Sequence, residues 1–154
     1  PCQLAMLAEI AAAAKEPEAG IPTAVDGCGV VNFALPLDSM AGAFARLEHL
    51  DGGQAVAGAM RAHPELIRGR GALDTKLMQT LPGWTAKGGA EGLLCAAALD
   101  GGLGLALKAE DGNQRALQPA LGVFLDQLGL DGRAFGPVDV RNSRDEVVGE
   151  VAVR

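Results

Sequence analysis

Two almost uninterrupted apolar runs constrain the fold of this chain more than any other feature. They cover residues 92–99 and 103–109, and Asp100-Gly101-Gly102 separates them. Asp-Gly and Gly-Gly steps supply the backbone angles of a tight hairpin turn. Strands that lack polar alternation are typical of positions covered on both faces. The sequence therefore predicts an antiparallel hairpin in the middle of the molecule, with other elements packed on both of its sides.

Helical periodicity occupies much of the remaining chain. Apolar residues recur at three- and four-residue steps, which predicts helices over residues 3–15, 39–50, 54–62, 75–80 and 118–128. Asp38 is the expected N-cap of the second helix, and Gly129 is expected to end the last one. Residues 23–79 are predicted to hold only loops and helices, and residues 138–140 and 147–153 a final hairpin. This order of elements predicts a single domain of the α+β class, an antiparallel sheet with packed helices.

Composition excludes several functional classes. The 154 residues are 49 % hydrophobic and carry 13 basic and 19 acidic side chains, a net charge of −6. The basic residues are scattered, whereas a nucleic-acid-binding protein needs a basic face, so no nucleic-acid partner is expected. No apolar run approaches the ~20 residues that span a bilayer, so no membrane partner is expected either. Three cysteines are an odd number, which favours a reducing, cytoplasmic location over a disulfide framework.

Lys87 is the residue around which a site is predicted. It stands where a helical region gives way to the apolar strands, and three of the next five residues are glycine. Glycine lets the backbone approach a ligand closely and adopt positive φ without strain. A lone cation beside such a backbone suits a carboxylate or an oxyanion. The competing interpretation is a solvated lysine at a strand end, with the glycines forming a turn.

Asp26 and Cys28 form a second candidate group. They lie two residues apart in Asp26-Gly27-Cys28-Gly29-Val30, and in an extended segment such residues project to the same side. An acid and a thiol would then face one site together. The alternative is an Asp-Gly turn followed by a small buried cysteine.

Several of these motifs occur in the same order in one known family. They are Asp26-Gly27-Cys28-Gly29-Val30, Phe33-Ala34-Leu35-Pro36-Leu37, Met40-Ala41, Asp74-Thr75, Ala86-Lys87-Gly88-Gly89-Ala90-Glu91-Gly92, Gly104-Leu105-Ala106-Leu107-Lys108 and Asp111-Gly112. In the residues of these motifs and in their spacing, the chain resembles the thermolabile L-asparaginase family first described from rhizobia. The resemblance covers nearly all of the chain but only about the C-terminal half of the family's usual length.

The resemblance implies a fold similar to the serine β-lactamases and penicillin-recognising proteins. Lys87-Gly88-Gly89 stands where that fold carries a Lys-Thr-Gly triplet on a strand edging the site. It also implies a homodimer that hydrolyses L-asparagine to L-aspartate and ammonia. Because the chain would hold half of a fold, an exposed apolar face and self-association are expected.

The same resemblance assigns roles to Lys87, Asp26 and Cys28. Lys87 would be catalytic, polarising the nucleophile or meeting the substrate carboxylate. Asp26 would help hold the substrate or orient the family's second lysine. Independently of the resemblance, amide hydrolysis needs donors aimed at the oxyanion, which free N–H groups along Gly88 and Gly89 could provide. Cys28 would be a thiolate ligand of a zinc ion, in a site completed by an upstream cysteine and lysine.

One family motif is missing. The nucleophile of the family belongs to an upstream Ser-x-x-Lys, and the only serines here are Ser39 and Ser143, neither with a lysine three residues later. The absence of Met at the start also suggests part of a longer protein. Three interpretations stay open: the C-terminal portion of an asparaginase, inactive alone; a non-catalytic binding or assembly module; and an amidohydrolase of the same fold acting on another amide.

Overall fold

The computed structural model describes residues 2–98 and 102–154. Its α-helices are α1 (Cys2–Ala14), α2 (Leu37–Ala45), α3 (Gly53–Ala62), α4 (Glu65–Arg68), α5 (Leu73–Thr80) and α6 (Leu117–Gln127). Its strands are β1 (Thr23–Val25), β2 (Val31–Phe33), β3 (Trp84–Gly89), β4 (Leu93–Ala98), β5 (Gly104–Lys108), β6 (Val138–Arg141) and β7 (Val147–Val151). The predicted α+β class is confirmed.

A three-stranded antiparallel sheet in the order β3-β4-β5 forms the centre. β4 and β5 are the two apolar runs, so the predicted pair of antiparallel strands is confirmed. Only β4 is a central strand, however, because β5 lies at an edge of the sheet. Of the turn predicted between them, residues 100 and 101 lie outside the described residues. The pairs β1-β2 and β6-β7 are separate two-stranded sheets, and the second is the predicted final hairpin.

The two faces of the central sheet are covered by different helices. Because side chains alternate along a strand, Trp84 and Ala86 point to one face, where they join a core formed with α5, α6 and Phe135. Thr85 and Lys87 point to the other face. There α2 packs so closely that a Cβ on Gly104 would lie 2.1 Å from the carbonyl oxygen of Ala41.

Two local predictions are wrong. Residues 23–79 contain a hairpin, with Thr23 opposite Phe33 and Val25 opposite Val31. Strands of three residues are too short to show an alternating pattern, so the sequence carried no signal for them.

The helix predicted over residues 39–50 also differs from the structure. It begins at Leu37 and ends at Ala45, and a separate 3₁₀ turn covers Leu47–His49. Asp38 is not its N-cap, because Pro36 holds that position and the Asp38 carboxylate accepts a hydrogen bond from the N–H of Ser39 at 3.0 Å. The proline fixes the extended backbone from which the helix starts, two residues earlier than the polar residues suggest. Within the described residues, no helix is long and apolar enough to cross a bilayer.

Candidate functional site

Lys87 lies inside β3, one residue before the strand's two glycines. Its side chain is exposed, and its Nζ donates a hydrogen bond to the carbonyl oxygen of Gly88. The residue directly opposite on β4 is Cys95. β3 is an edge strand of the central sheet. The ammonium group therefore stands on an edge strand of the sheet, beside backbone that carries no side chain.

The two glycines directly after Lys87 were expected to allow positive φ, and they do not adopt it. Gly88 and Gly89 are extended strand residues, and only Gly92, in the turn beyond, has positive φ, at 68°. Gly88 is required for space instead. A Cβ there would lie 2.2 Å from Nη1 of Arg68 and 3.2 Å from Oδ2 of Asp74.

Asp74 contacts β3 through its carboxylate. It is 1 % exposed, and its Oδ2 accepts a hydrogen bond from the N–H of Gly88 at 2.8 Å. Its Oδ1 accepts from the N–H of Thr75 at 2.9 Å in the first turn of α5. The N–H of Gly88 is therefore not free to bind an oxyanion as expected.

A second layer of contacts covers the end of β3. Nη2 of Arg68 donates to Oε1 of Gln114 at 3.3 Å, and Nε2 of Gln114 donates to the carbonyl oxygen of Gly89 at 3.4 Å. The Arg68 side chain is thus held against the bare strand. In the sequence, Asp74 stood out only as part of the Asp74-Thr75 motif, and Arg68 did not stand out at all. Both contacts join segments distant in sequence, so no local pattern signals them.

Asp26 lies in the turn between β1 and β2. Its Oδ1 accepts from the N–H groups of Cys28 at 2.9 Å and Val30 at 3.1 Å, and its Oδ2 accepts from the side chain of Asn32 at 2.7 Å. The hydrogen bonds from the Val30 and Cys28 amides, with that from Asn32, lower the pKa of Asp26. The extended geometry predicted for Asp26 and Cys28 is wrong, and the alternative Asp-Gly turn is present. Cys28, however, is exposed rather than buried.

The two predicted groups are not joined by a direct contact. Within the described residues, no hydrogen bond or ion pair connects Asp26 or Cys28 with Lys87, Gly88 or Gly89. Zinc also lacks a complete set of ligands, because residues 2–98 and 102–154 contain no group of three or more His, Cys, Asp or Glu side chains that could hold a metal ion. A zinc site takes four ligands, or three and a water. The residues present therefore fit only a part of such a site.

Three hydroxyl groups that could serve as nucleophiles are engaged in structural contacts. Thr75 Oγ1 lies 3.0 Å from the carbonyl oxygens of both Pro64 and Gly69, and Thr85 Oγ1 accepts from Arg61. Ser39 donates to Glu16 at 2.6 Å, in the contact between α1 and α2. A serine or threonine nucleophile needs an adjacent base, and none of these three hydroxyls contacts a lysine. The arrangement offers the exposed ammonium of Lys87 to an anionic ligand.

Comparison with known proteins bears on what that ligand is. No curated protein matches the chain. The family model of L-asparaginase II matches residues 1–153, almost the whole of the 154-residue sequence. The match spans the strand that carries Lys87 as well as the hairpin that carries Asp26 and Cys28. The chain therefore belongs to the L-asparaginase II family.

Proposed function

We propose that this chain supplies the lysine-bearing strand of an enzyme that hydrolyses L-asparagine to L-aspartate and ammonia. One observation supports the proposal most directly: in a member of this family, the ammonium of Lys87 stands exposed on an edge strand beside two residues without side chains. Asparagine is a zwitterion, so its site must present a cation to the α-carboxylate. The sheet edge offers Lys87 for that purpose.

Each site residue has a defined role in the proposal. Lys87 polarises the nucleophile or binds the substrate carboxylate, and Gly88 and Gly89 place no side chain of their own beside it. Asp26 meets the α-ammonium group of the substrate. Its carboxylate is exposed and ionised, and an ionised carboxylate can accept about four hydrogen bonds, one more than the three it receives here.

The nucleophile is proposed to lie outside these 154 residues. The sequence has no Ser-x-x-Lys, and the hydroxyls of Ser39, Thr75 and Thr85 are engaged elsewhere. Cys28 is proposed to supply one ligand of a zinc site whose other ligands also come from elsewhere. Within the described part of the chain all three cysteine thiols are free, which supports a reducing, cytoplasmic location.

Ammonia release tests the proposal. The assay compares the 154-residue chain, the protein translated from its complete reading frame, and the Lys87→Ala variant of that protein. Lys108→Ala is the matched control, because the Nζ of Lys108 also donates to backbone carbonyl oxygens, those of Glu91 and Ala109. We expect no measurable release from the chain alone. Removing Lys87 should lower kcat by about 10²-fold or more, the scale of losing one electrostatic contact to the reacting group.

Three outcomes would contradict the proposal. Activity of the 154-residue chain alone would place the nucleophile among its own residues. Full activity of the Lys87→Ala variant would leave Lys87 as a solvated side chain. No release of ammonia by the protein from the complete reading frame would favour either a binding or assembly module, or a hydrolase of another amide.

A further inference from the structure

We propose that Asp74 is a positioning residue that sets the location of the Lys87 ammonium through the backbone of Gly88. The inference rests on the proposed role of Lys87 in the site. It concerns a buried carboxylate that the proposed reaction does not use directly.

Both backbone polar groups of Gly88 are bound by side chains of this chain. In an antiparallel pair, alternate residues direct both their N–H and their C=O away from the partner strand. Gly88 is such a residue, because its N–H donates to Oδ2 of Asp74 and its carbonyl oxygen accepts from Nζ of Lys87. Asp74 and Lys87 therefore bind the two backbone polar groups of one glycine at the free edge of β3.

Because Asp74 is buried, its hydrogen bond with the N–H of Gly88 is strong. A carboxylate that is 1 % exposed needs hydrogen-bond donors in place of water, and Asp74 has one backbone donor for each oxygen, Thr75 and Gly88. Hydrogen bonds to an ionised acceptor are about twice as strong as neutral ones. The guanidinium of Arg68 also lies against Gly88. The start of α5 and the end of β3 are thereby fixed to each other.

Lys87 itself has no comparable restraint. Its side chain is exposed, and in the described structure its ammonium has a single hydrogen-bond partner, the carbonyl oxygen of Gly88. The orientation of that carbonyl consequently decides where the Nζ lies. A displacement of about 1 Å in a catalytic group can lower a rate ~10²-fold. Asp74, on the far side of the same glycine, controls this orientation without approaching a ligand.

Two isosteric substitutions at neighbouring buried positions test the inference. Asp74→Asn keeps the shape but leaves either the Thr75 or the Gly88 N–H facing an amide NH₂ group. Thr75→Val is the matched control, since it removes a buried hydroxyl that contacts Pro64 and Gly69 and not β3. Each variant of the protein from the complete reading frame is labelled with ¹³C and ¹⁵N in lysine, and the Lys87 side-chain resonance is assigned by its loss in Lys87→Arg. Asp74→Asn should shift that resonance and reduce kcat ~10-fold or more, whereas Thr75→Val should leave the resonance in place even if it lowers Tm.

The inference is overturned if Asp74→Asn leaves the Lys87 resonance unmoved, or if Thr75→Val moves it equally. The resonance is read without substrate, so this result stands whether or not Lys87→Ala lowers ammonia release. If Asp74→Asn does not fold, the unsubstituted protein decides. A scalar coupling across the hydrogen bond between the Gly88 amide nitrogen and Cγ of Asp74 is expected, and its absence would contradict the inference.

Discussion

Lys87 and Cys95 are directly opposite each other on β3 and β4, yet the lysine is exposed and the cysteine is only 5 % exposed. Opposite residues of an antiparallel pair leave the sheet on the same face. A lysine commonly lays its aliphatic stem over an apolar surface while its ammonium stays in water. The side chain of Lys87 is therefore placed to shield the Cys95 thiol as well as to present a cation.

This relationship predicts the order in which the thiols react. Burial raises the pKa of Cys95 to about 11, so only about one thiol in a thousand is ionised at pH 8. Cys2 and Cys28 are exposed and should react with iodoacetamide first, leaving a doubly modified species in mass spectra. Lys87→Ala should accelerate the modification of Cys95, whereas Lys108→Ala should not. Equal rates at all three thiols would contradict the burial of Cys95.

Gly88→Ala should destabilise the protein by about 1–3 kcal/mol, the usual cost of overpacking. The new methyl group would meet Nη1 of Arg68 and Oδ2 of Asp74. The Arg68 atom is the far end of a flexible side chain and can move aside, whereas the Asp74 carboxylate is fixed by its hydrogen bonds. Adding Arg68→Ala should recover part of the loss in thermal unfolding. Gly58→Ala is the control, because a Cβ in the middle of α3 meets nothing within 4 Å and should stabilise the protein by ~0.5–1 kcal/mol. An unchanged Tm for Gly88→Ala would show that Arg68 does not lie on the strand.

The β1-β2 hairpin should loosen in acid. The lowered pKa of Asp26 reflects the N–H groups of Val30 and Cys28 and the side chain of Asn32. The pKa of Asp26 in the folded protein lies below its pKa in the unfolded chain. The ionised carboxylate therefore contributes its full stabilisation at pH values above the unfolded pKa. This stabilisation is lost as the pH falls through the folded pKa. The amide resonances of Cys28 and Val30 should shift together below pH 4, as Asp26 becomes protonated. Asp26→Asn should abolish this pH-dependent shift. If both resonances still shifted with pH in Asp26→Asn, another titrating group would be responsible and the prediction would fail.

The sequence predicted those parts of the structure that depend on local patterns. Continuous apolar runs identified β4 and β5, and the leucine spacing identified α6, because burial on a sheet or on one helix face imposes a periodicity. Lys87 was placed correctly at the start of the sheet region. The contacts of Asp74 with Gly88 and of Arg68 with Gln114 span 14 and 46 residues. Such contacts depend on how whole elements pack, which no local pattern specifies.

Gly88 illustrates at a single residue what a local sequence pattern cannot specify. A glycine in a sequence signals either positive φ or close approach, and the sequence alone does not distinguish the two. Here the angle is ordinary and the close approach is that of Arg68. The hairpin around Asp26 was missed for a different reason, since strands of three residues leave too little pattern to read.

The chain is expected to self-associate. Exposed apolar side chains are present on several elements, among them Leu4 at 72 %, Leu66 at 76 % and Val148 at 61 % exposure. Val148 lies on β7, in a two-stranded sheet whose outer edges pair with no other strand of the described residues. Unpaired edges favour association. Sedimentation velocity at rising concentration should show a dimer, and Val148→Lys should weaken it more than Ser143→Lys in the adjoining turn. A single monomeric species at high concentration would refute the expectation.

Zinc should bind weakly to the 154-residue chain. Cys28 is exposed and offers one thiolate, and the described residues provide no group of three metal-binding side chains around it. Because each absent ligand removes a bond and thiols must lose a proton to bind, the remaining affinity should be low and should fall further as the pH decreases. Dialysis followed by metal analysis should leave well under one zinc per chain, and Cys28→Ser should lower the residual amount whereas Cys2→Ser should not. One zinc per chain retained after dialysis would mean that residues of this chain complete a site by themselves, and the ligands contributed from elsewhere would no longer be needed.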